Sequence, residues 1–205
     1  MQVSRRQGRP PVIEKAYDRI LDEAAMLFGQ KGFDASSINE VATSIGISKA
    51  AIFHYFPAKQ DIYDAIIVRT LKGLKEAVSE AIEQEEAGCA RLECFMVAHG
   101  AYFEEHFWSF VTMLIGYGGM GTSGLKQEAL SLRDDYEALL RSIIAEGIER
   151  GQLKPVDTAD TGRAILSMLN WMARWFTPGG SRTAAEIAQS YYTIIVGGLE
   201  LPTKD

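Results

Sequence analysis

From Ile13 onward the chain repeats apolar side chains at intervals of three and four: Ile13, Tyr17, Ile20, Leu21, Ala24, Leu27 and Phe28. That period sets them on one stripe of an α-helix, and Gly32 interrupts it, so residues 13–31 are predicted helical. Ser37-Ile38-Asn39-Glu40 is a capping-box pattern, in which the serine and glutamate side chains satisfy amides left unpaired in a helix's first turn. The helix it opens is predicted to reach about Ile45, with Gly46 supplying the turn. Ser48 is placed to cap a third, very short helix that ends before Pro57.

A longer pattern starts at Lys59 and continues past Gly73 to about Glu86. It predicts a helix that leaves the first unit and enters the next. Further apolar periodicity predicts helices at 90–105, 107–116, 125–150, 157–176 and 184–199, separated by stretches containing glycine and proline. No strand alternation or internal repeat is evident. The expected fold is therefore all-α with about nine helices. Residues 1–12 form an arm and 13–58 a three-helix unit. Residues 59–205 form a larger helical domain, in which 59–86 is the link.

Composition narrows the class. The chain has 205 residues, 47% apolar and 23% charged, as in ordinary globular proteins. No apolar run approaches a membrane span. The opening MQVSRRQGRPP is basic, but the charged stretch Glu14 to Arg19 follows where a signal peptide would have its apolar core, so a cytoplasmic location is expected. Cys89 and Cys94, five apart, point to different helical faces and give no disulfide framework. The net charge of −6 argues against nucleic acid, but its distribution argues the other way. Residues 1–60 carry eight Lys/Arg against six Asp/Glu, and the remainder thirteen against twenty-one. Arg5, Arg6 and Arg9 form an acid-free arm suited to lie along or inside a DNA groove, with a solubilising tail as the plainer alternative.

The two short helices joined at Gly46 have the length and turn of a DNA-binding helix-turn-helix, whose second helix enters the major groove. Ile38, Val41, Ala42, Ile45, Ile47 and Ile52 supply the apolar contacts between them, and Lys49, Ala50, His54 and Tyr55 form the face that reaches phosphates and base edges. The segment FGQKGFDASSINEVATSIGISKAAIFHYFPAKQDIYDAI, residues 28–67, resembles the TetR family of bacterial repressors. The resemblance implies that Ser36, Ser37, Lys49, Ala50, Phe53, His54 and Tyr55 lie at the DNA and that Lys59 holds a phosphate. A cation at a helix N-terminus is unfavourable for the dipole, which also points Lys59 to an external anion. Where the family often has tyrosine this chain has Phe53, which removes a phenolic contact. Phe56 is expected in the core.

The second half is rich in aromatic residues and methionine. Phe107, Trp108, Phe110, Met113, Leu114 and Tyr117 crowd one segment, and Met168, Trp171, Met172, Trp175 and Phe176 another. Of these, Trp108, Met113, Tyr117, Met168, Trp171 and Trp175, together with Arg174, are the candidate ligand contacts, although each could instead be packed core. The stretch Asn170 to Gly180 resembles TetR-type regulators that respond to acyl-coenzyme A thioesters, including those of lipid and steroid breakdown. Arg174 between two tryptophans suits a phosphate or carboxylate, or alternatively caps the last carbonyls of its helix.

Enzyme chemistry finds little support. Gly116 to Gly121 matches GxGxxG, but no strand precedes it and Asp134, Asp135 and Glu146 are wrongly spaced for the ribose acid, so it is expected to be a loop. His99 and His106 lie about 10 Å apart along a helix, too far to share a metal. No catalytic residue, cofactor or metal is expected. With the resemblance to TetR repressors, the chain is expected to be a homodimeric, ligand-responsive transcriptional repressor, released from a palindromic double-stranded DNA operator by a small apolar or amphipathic effector. Dimerisation is expected through the eighth and ninth helices, around Ala164 to Met172 and Ile187 to Leu199, since one recognition helix reads only a few base pairs. A drug-sensing repressor of an efflux pump and a helical protein-interaction module are the alternatives.

Overall fold

In the computed structural model, which describes residues 12–116 and 124–199, the capping signals at Ser37, Gly46 and Ser48 all operate. Helix α1 (Val12–Lys31) is followed by α2 (Ile38–Ile45). Ser37 Oγ accepts from the Glu40 amide at 3.2 Å, and the Glu40 carboxylate accepts from the Ser37 amide at 2.8 Å. Gly46 ends α2 in the left-handed conformation, φ 71°, which a side chain would strain. Ser48 then caps α3 (Lys49–Tyr55) by accepting from the Ala51 amide at 3.1 Å. After Pro57, the Asp61 carboxylate holds the Ala58 amide at 2.8 Å and starts α4 (Lys59–Ile82).

The remaining helices are α5 (Cys89–Glu105), α6 (Phe107–Gly116), α7 (Gly124–Glu149), α8 (Thr158–Trp171) and α9 (Ala184–Leu199). No strand occurs among the described residues. Nor is any described helix long and apolar enough to cross a membrane. The eighth helix is shorter than its periodicity predicts: it tightens into a 3-10 turn at Met172–Arg174 instead of continuing to 176. A final turn with i→i+3 bonding is a common way to finish a helix, and Pro178 prevents continuation. Cys89 and Cys94 are not joined in a disulfide, and both are half-buried.

One apolar core runs through the chain. In the N-terminal helix-turn-helix domain, Ile20, Leu21, Ala24 and Phe28 of α1 meet Val41, Ala42, Ile52 and Phe56. Helix α4 spans both parts: Ile62 and Ile66 are buried near its start, and Leu71, Leu74, Val78 and Ile82 are buried further along. Arg69, midway, bonds back to Asp22 at 2.6 Å and Asp18 at 3.4 Å on α1. A second element ties the parts together. Helix α6 lies on α1, where Thr112 Oγ1 donates to the Ala25 carbonyl at 2.9 Å, and a Cβ on Gly29 would stand 2.8 Å from the Trp108 ring.

Candidate DNA-binding face and effector chamber

Helix α3 buries Ile52 and exposes Lys49, Ala50, Phe53 and His54. A seven-residue helix with one buried anchor leaves most of its circumference free, so its outer face is available to a groove. Lys49 Nζ lies 5.6 Å from the centre of the Phe53 ring, and the His54 and Tyr55 rings meet edge-on at 5.6 Å. Tyr55 is half-buried against the core. Ser37 is exposed at the mouth of α2, with its side chain engaged in the cap.

Two residues expected at the DNA are turned inward. Ser36 is only 4% exposed, and its single hydroxyl hydrogen is shared between the Gly32 carbonyl at 2.8 Å and the Leu27 carbonyl at 3.2 Å. It closes the C-terminus of α1, whose last carbonyls lack helical partners. Lys59 Nζ donates to the carbonyls of Phe33 at 2.7 Å and Ser36 at 2.9 Å, and sits 4.2 Å from the Phe33 ring centre. Two of its ammonium hydrogens are thus engaged by backbone carbonyls, which gives Lys59 a structural role at the start of α4. Arg5, Arg6 and Arg9 lie outside the described residues.

The larger half holds a cavity of about 190 Å³ between α4, α5, α6, α7 and α8. Leu71 and Leu74 come from α4, Met113 and Leu114 from α6, and Leu166 from α8; His99, Tyr136, Arg133 and Asn170 are its polar members. A second cavity of about 300 Å³ adjoins it, sharing Leu114 and Asn170 and adding Val111, Ser167, Trp171, Ala173 and Arg174. The Arg174 guanidinium carbon stands 5.8 Å from the Trp171 ring centre, and Trp171 itself is 63% exposed. The first cavity, here the inner chamber, is therefore mostly apolar, and the second, the outer chamber, has a cation in its wall.

Of the other ligand candidates, Met113 lines the inner chamber, and Trp171 and Arg174 the outer. Trp108 belongs to neither. It packs on Gly29 and Phe107 and borders a surface hollow with Glu104, His106 and Pro178. Trp175, 49% exposed, faces a different groove with Tyr191 and Ile194. Met168 is half-buried and lines neither chamber. Tyr117 and most of the Gly116–Gly121 loop lie outside the described residues.

Among the lining residues that sequence reasoning missed as ligand contacts are His99 and Tyr136. His99 is 1% exposed, and its Nδ1 lies 3.0 Å from the Tyr136 hydroxyl. Burial lowers the imidazole pKa to about 3 and raises that of the phenol well above its usual value, so both are neutral at physiological pH. No group of His, Cys, Asp and Glu among the described residues is suited to a metal ion.

Comparison with known proteins agrees with both halves. The family of bacterial regulatory proteins of the tetR type matches residues 20–66, and the tetracyclin repressor-like C-terminal domain matches residues 85–199. The HTH-type transcriptional repressor KstR2 of Mycobacterium tuberculosis is 24% identical over 185 residues, covering 88% of this chain and 90% of that protein. Its counterpart from Rhodococcus jostii is 26% identical over 186 residues, covering 89% and 90%. Among solved structures, the TetR family regulator PfmR of Thermus thermophilus is 44% identical, with TM-score 0.83 over 90% of this chain and all of that one. AibR, solved in complex with isovaleryl coenzyme A and operator DNA, shares the fold, with TM-score 0.75 and 23% identity over 87% of this chain and 96% of that one. The chain belongs to the TetR family, and it is a ligand-responsive, DNA-binding transcriptional repressor rather than an enzyme.

Proposed function

We propose that the effector is an acyl-coenzyme A thioester whose acyl group occupies the inner chamber while its phosphate-bearing part lies beside Arg174 and Trp171. The observation that carries this reading is the adjacency of the two cavities, which share Leu114 and Asn170 as wall residues, one mostly apolar and the other flanked by a guanidinium and an indole. Arginine pairs with phosphate through charge-assisted hydrogen bonds, and an exposed indole offers a face for a flat base. The complex of AibR with isovaleryl coenzyme A supports the same ligand class in a chain of this fold.

The release mechanism follows from which helices line the chamber. Leu71 and Leu74 lie on α4, and Met113 and Leu114 on α6, and both helices are bonded to α1, by Arg69 and by Thr112. A ligand that displaces either helix shifts the DNA-binding domains, so that the two recognition helices of a dimer no longer fit successive major grooves. Dimerisation uses α8 and α9. Ala184, Ile187 and Ala188 of α9 are buried within the chain, whereas Ile194 is 66% exposed and Gly197 and Gly198 are exposed, leaving an apolar face of low relief for a second copy.

The test is a titration of the protein against the DNA flanking its own gene at several salt concentrations, with thioesters of increasing chain length and the matching free acids added. Specific binding released by thioesters and not by the acids is the expected result. By linkage, operator DNA must weaken thioester binding by the same factor. Release by neutral drugs alone would transfer the protein to efflux control, and sequence-indifferent binding would overturn the operator.

A further inference from the structure

Three buried side-chain nitrogens lack a hydrogen-bond partner among the described residues: Arg91 Nε, Arg141 Nε and His99 Nε2. Each arginine satisfies its charge through another nitrogen, on Glu146 and Glu137 respectively. His99 is different, because it lines the inner chamber and its Nδ1 is engaged with Tyr136, which leaves Nε2 without a partner among the described residues. A buried donor or acceptor without a partner is destabilising, because it has given up its bond to water. That cost is recovered when a partner arrives.

The hydrogen-bond accounting fixes which partner. Only one proton can lie between Tyr136 and Nδ1. If the phenol donates to Nδ1, the ring proton sits on Nε2 and a single donor is left unpaired. If Nδ1–H donates instead, both the phenolic hydrogen and the Nε2 lone pair are left without partners. The first arrangement is the better satisfied, so the unpartnered group on this lining residue is an N–H. Arg133 also lines it, with its guanidinium held on Asp134 at 2.7 and 3.1 Å.

We propose that the Nε2–H of His99 donates a hydrogen bond to an uncharged carbonyl-type oxygen on the part of the effector held in the inner chamber, and that Tyr136 is the positioning residue that fixes this tautomer. The proposal rests on the reading of this half as an effector sensor and narrows its ligand. A pure hydrocarbon leaves the N–H unpaired, whereas a carbonyl oxygen accepts from it without carrying a charge into a mostly apolar cavity. The volume of about 190 Å³ suits a single ring or short branched body, since an apolar cavity of about 150 Å³ takes up benzene.

The test uses the full chain carrying 15N-histidine, titrated with acetophenone and with ethylbenzene, which match in shape and differ by one oxygen. Its three histidines are assigned by substitution. In the free protein His99 should show the Nε2–H tautomer. Acetophenone should move the Nε2 resonance and bind about three- to tenfold tighter than ethylbenzene, the worth of one neutral hydrogen bond. His99→Phe should erase that preference. Tyr136→Phe should leave a mixture of tautomers, a signature that lost packing alone would not produce. If His99→Phe does not fold, the wild-type tautomer and Tyr136→Phe carry the test. An Nδ1–H tautomer, equal affinities, an Nε2–H held by an ordered water that persists with ketone bound, or failure of both compounds to bind would each overturn the proposal. Thioester release of operator is measured on the same samples. Release without ketone preference sinks this proposal alone, and the reverse result sinks the thioester reading alone.

Discussion

The hydroxyl of Thr112 reaches 87 residues back along the chain to the carbonyl of Ala25, at 2.9 Å, with both residues buried. It joins α6 to α1 one position away from Met113, which lines the inner chamber. The sequence predicts α4 alone as the mechanical link. The structure adds α6 as a second one, because a short helix with an almost wholly apolar sequence must bury more than one face.

Thr112→Val keeps the shape and removes the donor. The Ala25 carbonyl sits mid-helix, so the loss of stability should be about 1 kcal/mol. Operator affinity without effector should persist, while the factor by which thioester weakens it should fall. An unchanged factor, from operator titrations with and without thioester, would assign the coupling to α4.

Lys59 separates a structural clamp from a phosphate contact. Its bonds to the Phe33 and Ser36 carbonyls predict that Lys59→Met lowers unfolding stability by about 1–3 kcal/mol. The salt dependence of operator binding should keep its slope. A slope reduced by about one per domain would restore the phosphate role.

Arg174→Gln should weaken thioester binding about 10- to 100-fold, as expected for charge-assisted bonds, without altering operator affinity or the binding of acetophenone. Calorimetry with the three ligands distinguishes this from a helix-capping role, which would lower the melting temperature and leave thioester affinity alone.

The cap of α2 makes the DNA-binding domain sensitive to acid. Hydrogen bonds from Lys31 and then from the backbone and hydroxyl of Ser37 lower the Glu40 pKa from 4.5 to about 2. Its contribution to stability is present above 4.5, where both folded and unfolded chains are ionised, and is lost as pH falls from 4.5 toward 2. Glu40→Gln should therefore be less stable than wild type at neutral pH, with the gap closing over that range in denaturant titrations.

Ile194→Glu places a charge on the exposed face of α9. Sedimentation should show monomers, and operator affinity should drop about a hundredfold or more as paired binding is lost. A dimer that survives would put the seam elsewhere.

Helix limits and caps are legible in the sequence because their causes are local. Ser37, Gly46, Ser48 and Pro57 act within four residues of their own positions. The chamber is not, because its walls come from five helices. His99 and Tyr136 are 37 residues apart, and nothing in the spacing pairs them. Trp108 groups with Met113 in the sequence because both lie in one aromatic-rich segment. Five positions on a helix turn a side chain by about 140°, so one meets α1 and the other the chamber. Ser36 and Lys59 have structural partners for a shared reason: carbonyls at the end of α1 and in the turn after it accept their donors, a demand visible only once the chain closes on itself.

The seating of α6 on α1 bears on transplantation. Swapping recognition helices between repressors to retarget them treats the first sixty or so residues as a cassette. Here Gly29 has room for Trp108 only because it lacks a side chain, and a donor head with alanine at that position would collide with the indole. Cutting the cassette free would bare Ala25 and its neighbours to water. A working hybrid should therefore carry its own α6 with it, or keep the host's α1 and exchange only α2 and α3.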